Sequence, residues 1–169
     1  MRRRPTAPPR LAAWLLAPAS LALLASLAFA APARLFGLSL PEPVFACIPA
    51  FAWALIRPSM VAPLALIPLG LGMDLLWRTP IGFWPACLIA AYATGFALAE
   101  PLLDGGVALA WGGYALACAA AMAVGLVLTF ARAGVIADPL AVAWQWLATA
   151  ALFPFAWRLV ERYEAANVR

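Results

Sequence analysis

The side chains best suited to acid–base or ion-pair chemistry in this sequence are Asp74 and Arg78, which lie four residues apart. On a helix this spacing places a carboxylate and a guanidinium on one face, in the favourable order of acid before base. A charge inside an apolar segment is costly unless it is paired or faces protein. Two interpretations follow: an ion pair that anchors a helix end, or a carboxylate that fixes a turn or a contact with a partner.

Most other catalytic arrangements need residue types that this sequence lacks. It contains no His, which excludes Ser-His-Asp and Cys-His pairs, and it has no glycine-rich phosphate loop. Cys47, Cys87 and Cys118 are far apart in apolar runs, which favours small buried side chains over a metal site or a disulfide framework. We therefore expect a protein that is not an enzyme and that has no catalytic residues, no cofactor and no metal.

The kind of structure that positions these residues can be inferred from the very apolar composition of the sequence. Of 169 residues, 67% are hydrophobic and 11% are charged, whereas a soluble domain is about half apolar and about a quarter charged. So few polar side chains could not cover a water-exposed surface, but a lipid-exposed surface needs none. All 11 basic residues are Arg and lie at segment ends. This pattern indicates membrane topology, and nucleic-acid binding is not expected.

The apolar runs predict an all-α integral membrane bundle of about six transmembrane helices. The second run is short for a span; it either crosses as a thin or tilted helix or re-enters between its neighbours. An acidic turn is predicted at residues 100–106. The predicted helices cover residues 11–31, 44–56, 59–77, 81–99, 107–131 and 139–157.

A single helical domain, residues 11–157, is expected between a disordered basic tail at residues 1–10 and a second tail at residues 158–169. The first helix ends in a sequence that also fits signal-peptide cleavage, but its length favours an uncleaved span. Both termini are predicted in the bacterial cytoplasm, because six crossings leave most Arg residues inside. The inner set is Arg2, Arg3, Arg4, Arg10, Arg57, Arg158, Arg162 and Arg169; the outer set is Arg34, Arg78 and Arg132.

One motif carries a family resemblance. A short second segment ends in Arg-Pro, and a Gly-x-x-x-Asp run then closes on Pro-x-Gly. The residues concerned are Arg57, Pro58, Gly70, Asp74, Leu75, Pro80, Ile81 and Gly82. Together with the order of the segments, this motif resembles the bacterial rod-shape-determining protein MreD family, which usually has Leu where Ile81 stands.

The resemblance implies a non-enzymatic inner-membrane component of the cell-elongation machinery. Members of the family partner a bitopic scaffold protein, MreC, and through it the glycosyltransferase and transpeptidase that build lateral peptidoglycan. The family is also similar in fold to the six-helix substrate-binding subunits of vitamin importers. The candidates for a partner contact or a structural role are Arg57, Pro58, Gly70, Asp74, Arg78, Pro80 and Gly82.

Two other functions are left open by the sequence. A substrate-binding subunit of an energy-coupling vitamin importer would need a pocket lined by the few polar groups, such as Tyr92, Thr94 and Gln145. A membrane enzyme would have to use carboxylates, and the available ones are Asp74, Glu100 and Asp104.

Overall fold

The computed structural model describes residues 18–26, 34–35, 38–39, 43–56 and 61–168. Within these residues the regular structure is helical, apart from one antiparallel pairing of two short strands that lies between the first two predicted helices. The strands are β1 (Arg34–Leu35) and β2 (Leu38–Ser39). The helices are α1 (18–26), α2 (Cys47–Ile56), α3 (Val61–Trp77), α4 (Phe83–Ala97), α5 (Ala99–Asp104), α6 (Gly106–Ala133), α7 (Pro139–Ala150) and α8 (Phe153–Val168).

The predicted all-helical class is confirmed, and part of the described chain is suited to a membrane. Two helical stretches, Gly106–Ala133 and Pro139–Arg158, are long and apolar enough to cross one. The other apolar helices are shorter: the 10 residues of α2 and the 17 of α3 extend about 15 Å and 25 Å, against about 30 Å for a hydrocarbon core. Six crossings therefore stay a prediction.

The short helix α2 occupies the centre of the bundle. Eight of its ten residues are buried, and it packs against α3, α4, α6 and α8. Phe51 and Trp53 are fully buried, and the Phe51 ring meets Tyr114 of α6 edge to face at 5.2 Å. Protein therefore surrounds α2 on all sides, as the re-entrant interpretation of this segment requires.

Small residues allow the helices around α2 to approach closely. Gly95 of α4 lies so near α2 that an added Cβ would be 3.1 Å from both Ala54 and Phe51. On α6, Ala117 and Ala121 are buried against the same core. The Gly and Ala content of the sequence thus brings α4 and α6 together around α2.

Two segments differ from the sequence prediction. Residues 99–104 form the helix α5 instead of an irregular acidic turn. Pro101 lies in the first turn of this helix, where a missing N–H is tolerated, and Glu100 is favourable beside the positive end of the helix dipole.

The sixth predicted helix is divided. It turns at residues 151–152 and resumes as α8, with Pro154 in the first turn of the new helix. The expected tail at residues 158–169 is helical as far as Val168, in keeping with the helix-favouring Glu, Arg and Ala residues of this segment.

Candidate functional site

The end of α3 is a tight reversal of the chain. Arg78, the residue after the helix, has a φ of 52° in the left-handed region. The Thr79 N–H then donates to the Asp74 carbonyl oxygen at 3.0 Å. This is the hydrogen bond of a Schellman motif, which satisfies one of the carbonyls left free at a helix end. It folds the chain back toward Asp74 immediately after Trp77.

The carboxylate of Asp74 lies inside this reversal and is 3% exposed. Its Oδ1 accepts hydrogen bonds from the Thr79 hydroxyl at 2.7 Å and from the Trp84 N–H at 3.0 Å. Its Oδ2 accepts one from the Gly82 N–H at 2.7 Å. Three donors from the segment that follows α3 therefore replace the water that a carboxylate loses on burial.

Asp74 also caps the next helix. Gly82 is the N-cap residue of α4 and has no side chain to accept a hydrogen bond, so the Asp74 carboxylate supplies the oxygen from ten residues away. The negative charge is favourable there because the helix dipole is positive at this end.

The remaining donors of the first turn of α4 are also satisfied. The Phe83 N–H donates to the Pro80 carbonyl at 3.0 Å, and the Ala86 N–H donates to the Gly82 carbonyl at 3.3 Å. Pro85 has no N–H to satisfy. With Trp84 bonded to Asp74, no donor of this turn is left without an acceptor.

Two glycines make the reversal sterically feasible. Gly82 has a φ of 90°, a conformation that residues with a side chain rarely adopt. Gly70 lies one turn before Asp74 and faces the start of α4, where an added Cβ would be only 2.7 Å from the Pro85 Cα. The Gly-x-x-x-Asp spacing therefore presents two successive turns of α3 to the beginning of α4: one allows close approach, and the other supplies the cap.

The structure brings four of the seven predicted candidates together: Gly70, Asp74, Pro80 and Gly82. It does not bring Arg78 to them. Within the described residues no salt bridge joins Arg78 to Asp74, and the Arg78 side chain is exposed. The ion-pair interpretation is wrong because the helix ends at Trp77, so the four-residue spacing no longer places both side chains on one face. The remaining two candidates, Arg57 and Pro58, lie outside the described residues.

Sequence reasoning missed three contributors to this site: Thr79, Trp84 and Pro85. Thr79 stood in the motif as a hydroxyl residue in a turn and could have been proposed as a donor to the nearby carboxylate. Trp84 contributes its backbone N–H and Pro85 its backbone surface, and side-chain type gives little signal for either contact.

A second set of hydrogen bonds holds α7 to the bundle. The Val44 N–H, just before α2, donates to the buried hydroxyl of Thr149 at 3.1 Å. The indole N–H of Trp146 donates to the Ala115 carbonyl at 2.8 Å, and that of Trp111 donates to the Ala150 carbonyl at 3.0 Å. These bonds join α7 to the start of α2 and to α6.

The polar residues of the importer alternative are not gathered in one pocket. Gln145 lines a cavity of about 190 Å³ between α2, α4, α6 and α7, but Tyr92 and Thr94 do not line it. The Thr94 hydroxyl donates to the Ala90 carbonyl of its own helix at 2.9 Å, and the Tyr92 ring stacks on Phe96.

No protein-family model, no curated protein and no solved structure matches this chain. The family resemblance therefore depends on the motif and on the order of segments alone.

Proposed function

We propose that this chain is a multi-pass component of the bacterial cytoplasmic membrane that binds a bitopic scaffold protein of the cell-elongation machinery and has no catalytic activity of its own. The observation that supports the proposal is the hydrogen bonding of the Asp74 carboxylate, the side chain best placed for chemistry. Both of its oxygens are occupied by donors from its own turn. A carboxylate held in this way fixes a shape, as a partner-binding protein requires.

The turn presents apolar side chains that a partner could bind. Leu75 and Ile81 stand on either side of the reversal, and each is 78% exposed. Because Asp74 and Gly82 fix the backbone between them, these two side chains are held at one end of the bundle. A single transmembrane helix of the scaffold protein would pack against them without first having to order the loop.

The surface of the bundle supports placement in lipid. Large hydrophobic side chains are exposed on α1, α3, α6 and α7, including Leu21, Leu64, Val127 and Leu140 at 64% or more. An apolar surface spread over so many helices is costly in water but favourable in a bilayer. Membrane lipid is therefore the first partner in this proposal.

Co-purification tests the partner contact. In the proposed complex, replacing both Leu75 and Ile81 with Ala should lower recovery of the scaffold protein with the tagged chain at least fivefold, while the level of the chain in the membrane stays the same. The matched control is Leu64→Ala, also on α3 and 64% exposed. Recovery of the scaffold protein with wild-type efficiency by the double variant would contradict this contact surface.

A cellular test addresses the wider role. Depletion of the chain in its host should convert rod-shaped cells into round ones as lateral wall growth stops. Complementation by the wild type and by Leu64→Ala, but not by the double variant, is the expected pattern. Normal rod shape after complete depletion would overturn the proposed function.

The importer-subunit alternative has one supporting observation, the cavity that Gln145 lines. At about 190 Å³ it is smaller than the roughly 300–1,000 Å³ typical of pockets for small molecules. Co-purification with a transporter ATPase in place of the scaffold protein would favour this alternative.

A further inference from the structure

Two cysteines meet where α2 packs against α6. Cys47 lines one cavity with Gly125, so the start of α2 faces the later turns of α6 and the two helices are antiparallel. The Phe51 and Tyr114 rings are in contact at 5.2 Å. One turn before Phe51 is Cys47 and one turn after Tyr114 is Cys118, so in antiparallel helices these two steps lead to the same place. The two thiols are in hydrogen-bond contact there, and both cysteines are buried.

Sulfur atoms also line the approach to this pair. Cys47, Cys87 and Met122 line the inner cavity of about 190 Å³. The cavity adjoins an open groove between α6 and α7, because Met122 and Leu126 line both. A small ion that entered from the groove would therefore pass a thioether and a thiol before it reached Cys47.

The Tyr114 hydroxyl lies beside the Cys118 thiol. It is buried and makes no well-formed hydrogen bond within the described residues, which is unfavourable for a group that can donate. A neutral thiol is a weak acceptor, whereas a thiolate accepts a strong, charge-assisted hydrogen bond. The hydroxyl is thus placed to stabilise Cys118 as a thiolate, which is the form in which a cysteine binds metal.

The number and kind of ligands restrict which ion would fit. Within the described residues, no group of three or more His, Cys, Asp or Glu side chains is placed to hold a metal. This argues against structural zinc and iron–sulfur centres, which take four such ligands. Magnesium and calcium need oxygen ligands, and no carboxylate lines the cavity. Two thiolates instead suit a soft monovalent ion such as Cu(I).

We propose that Cys47 and Cys118 bind one Cu(I) ion between their sulfur atoms, with the Tyr114 hydroxyl donating to the Cys118 sulfur. Each thiol releases its proton on binding, so that Cu⁺ and two thiols give a complex of net charge −1 and two H⁺. The ion replaces the protons between two sulfurs already in contact, so it needs no separate cavity. It would join α2 to α6 in the core, whether or not a scaffold protein is bound.

The test uses the purified full-length chain in detergent, without oxygen, and Cu(I) supplied as its coloured bicinchoninate complex. The wild type should withdraw one Cu(I) per chain, measured as loss of the colour. A metal that binds only the folded chain also raises its unfolding temperature. Cu(I) and Ag(I) should raise this temperature in a saturable way, whereas Zn(II) should not.

Variants test which sulfurs bind the ion. Cys47→Ala and Cys118→Ala should each abolish the withdrawal of Cu(I). The matched control is Cys87→Ala, a buried cysteine of the same cavity, which should bind as the wild type does. Tyr114→Phe should keep one Cu(I) per chain with about tenfold weaker affinity, the usual effect of losing a hydrogen bond to a metal ligand.

The comparison of metals on the wild-type chain decides the question even if a variant does not fold. No withdrawal of Cu(I) would overturn the site, and equal stabilisation by Zn(II) would overturn the choice of a soft monovalent ion. Loss of binding in Cys87→Ala would overturn the pairing of Cys47 with Cys118. One free thiol per chain in fresh membranes, in place of the three in the sequence, would show that a disulfide occupies the pair and would overturn the metal site.

Discussion

At the scale of single residues, the main feature is a carboxylate that is buried with no cationic partner among the described residues. Burial of a charged group is costly unless hydrogen bonds replace its water. Asp74 receives three, all from residues that follow it within one turn of chain and the start of α4. Each of these donors in turn depends on Asp74, since none of them has another acceptor within the described residues. The side chain and the loop therefore stabilise each other.

Replacing Asp74 tests this mutual dependence. Asp74→Ala leaves two backbone N–H groups and one hydroxyl without their acceptor, so the free energy of unfolding should fall by about 3 kcal/mol. Asp74→Asn keeps one oxygen and should lower it by about half as much. The control is Asp104→Ala, an exposed carboxylate at the end of α5, with an expected change below about 0.5 kcal/mol. Unfolding in detergent measures all three, and equal effects of Asp74→Ala and Asp104→Ala would contradict the capping role.

Replacing Arg78 should have the opposite effect on the free energy of unfolding. It adopts a left-handed conformation at the end of α3, which is unfavourable for any residue with a Cβ by roughly 1–2 kcal/mol. Its side chain is exposed, and we assign it no contact that a glycine would lose. Arg78→Gly should therefore raise the free energy of unfolding by about 0.5–1 kcal/mol.

Arg132 provides the matched control for this gain. It is also an exposed Arg near a helix end, but it lies within the last turn of α6, in right-handed helix. Arg132→Gly should lower the free energy of unfolding by up to about 1 kcal/mol, because glycine is unfavourable in a helix. A loss of stability in Arg78→Gly comparable with that in Arg132→Gly would show that Arg78 has a stabilising contact that outweighs its backbone conformation.

At the scale of helices, the start of α4 is built by α3. Asp74 supplies the cap of α4, and Gly70 supplies the space for its first turn against Pro85. The two residues lie one helical turn apart, so a rotation of α3 that displaced one would displace the other. The motif thus fixes both the distance and the rotation between two neighbouring helices.

Adding a single methyl group to α3 tests this packing. Gly70→Ala would place its Cβ 2.7 Å from the Pro85 Cα, and because backbone cannot move aside as a flexible side chain can, we expect a loss of about 1–3 kcal/mol in the free energy of unfolding. Gly112→Ala on α6 is the control. Nothing lies within 4 Å of its added Cβ, so better helix propensity should make this variant more stable by about 0.5–1 kcal/mol. Changes of the same sign in both variants would contradict a specific contact between α3 and Pro85.

The sequence predicted the positions of helices, which depend on neighbouring residues, better than the caps, which depend on residues farther away along the chain. Hydrophobic runs located α3, α4 and α6 to within two residues at the described ends, because membrane-like helices are encoded by local composition. The caps were harder. Asp74 accepts from a helix that begins nine residues later, whereas cap signals in sequence are read from the residues directly before a helix. The turn predicted at residues 100–106 is a helix as far as Asp104, because a proline such as Pro101 disrupts a helix interior but is tolerated in a first turn.

At the scale of the whole molecule, the position of α2 carries the most information about topology. Val44 and Cys47, at the start of α2, line the same cavity as Phe83 and Trp84, which follow α3. The chain therefore enters α2 and leaves α3 at the same end of the bundle. This arrangement supports a return of the chain to its starting side across the α2–α3 pair, whether α2 crosses fully or stops within the membrane.

Labelling of single cysteines with a membrane-impermeant maleimide tests this topology. Cys47, Cys87 and Cys118 are buried and would first be replaced with Ala or Ser. Cysteines are then introduced singly at four positions: Leu38, Ile81, Asp104 and Val135. Ile81 suits labelling because it is 78% exposed and its side chain takes no part in the Asp74 site.

The expected pattern separates one membrane face from the other. If both termini lie in the cytoplasm, as the sequence predicts, positions 38, 81 and 135 should react in intact spheroplasts, whereas position 104 should react only after the membrane is permeabilised. Reaction of positions 38 and 81 from opposite faces would show that the α2–α3 pair crosses an odd number of times. In that case the carboxyl-terminal helix would carry its Arg residues to the outer face, and the scaffold protein would have to meet the Asp74 turn from the cytoplasmic side.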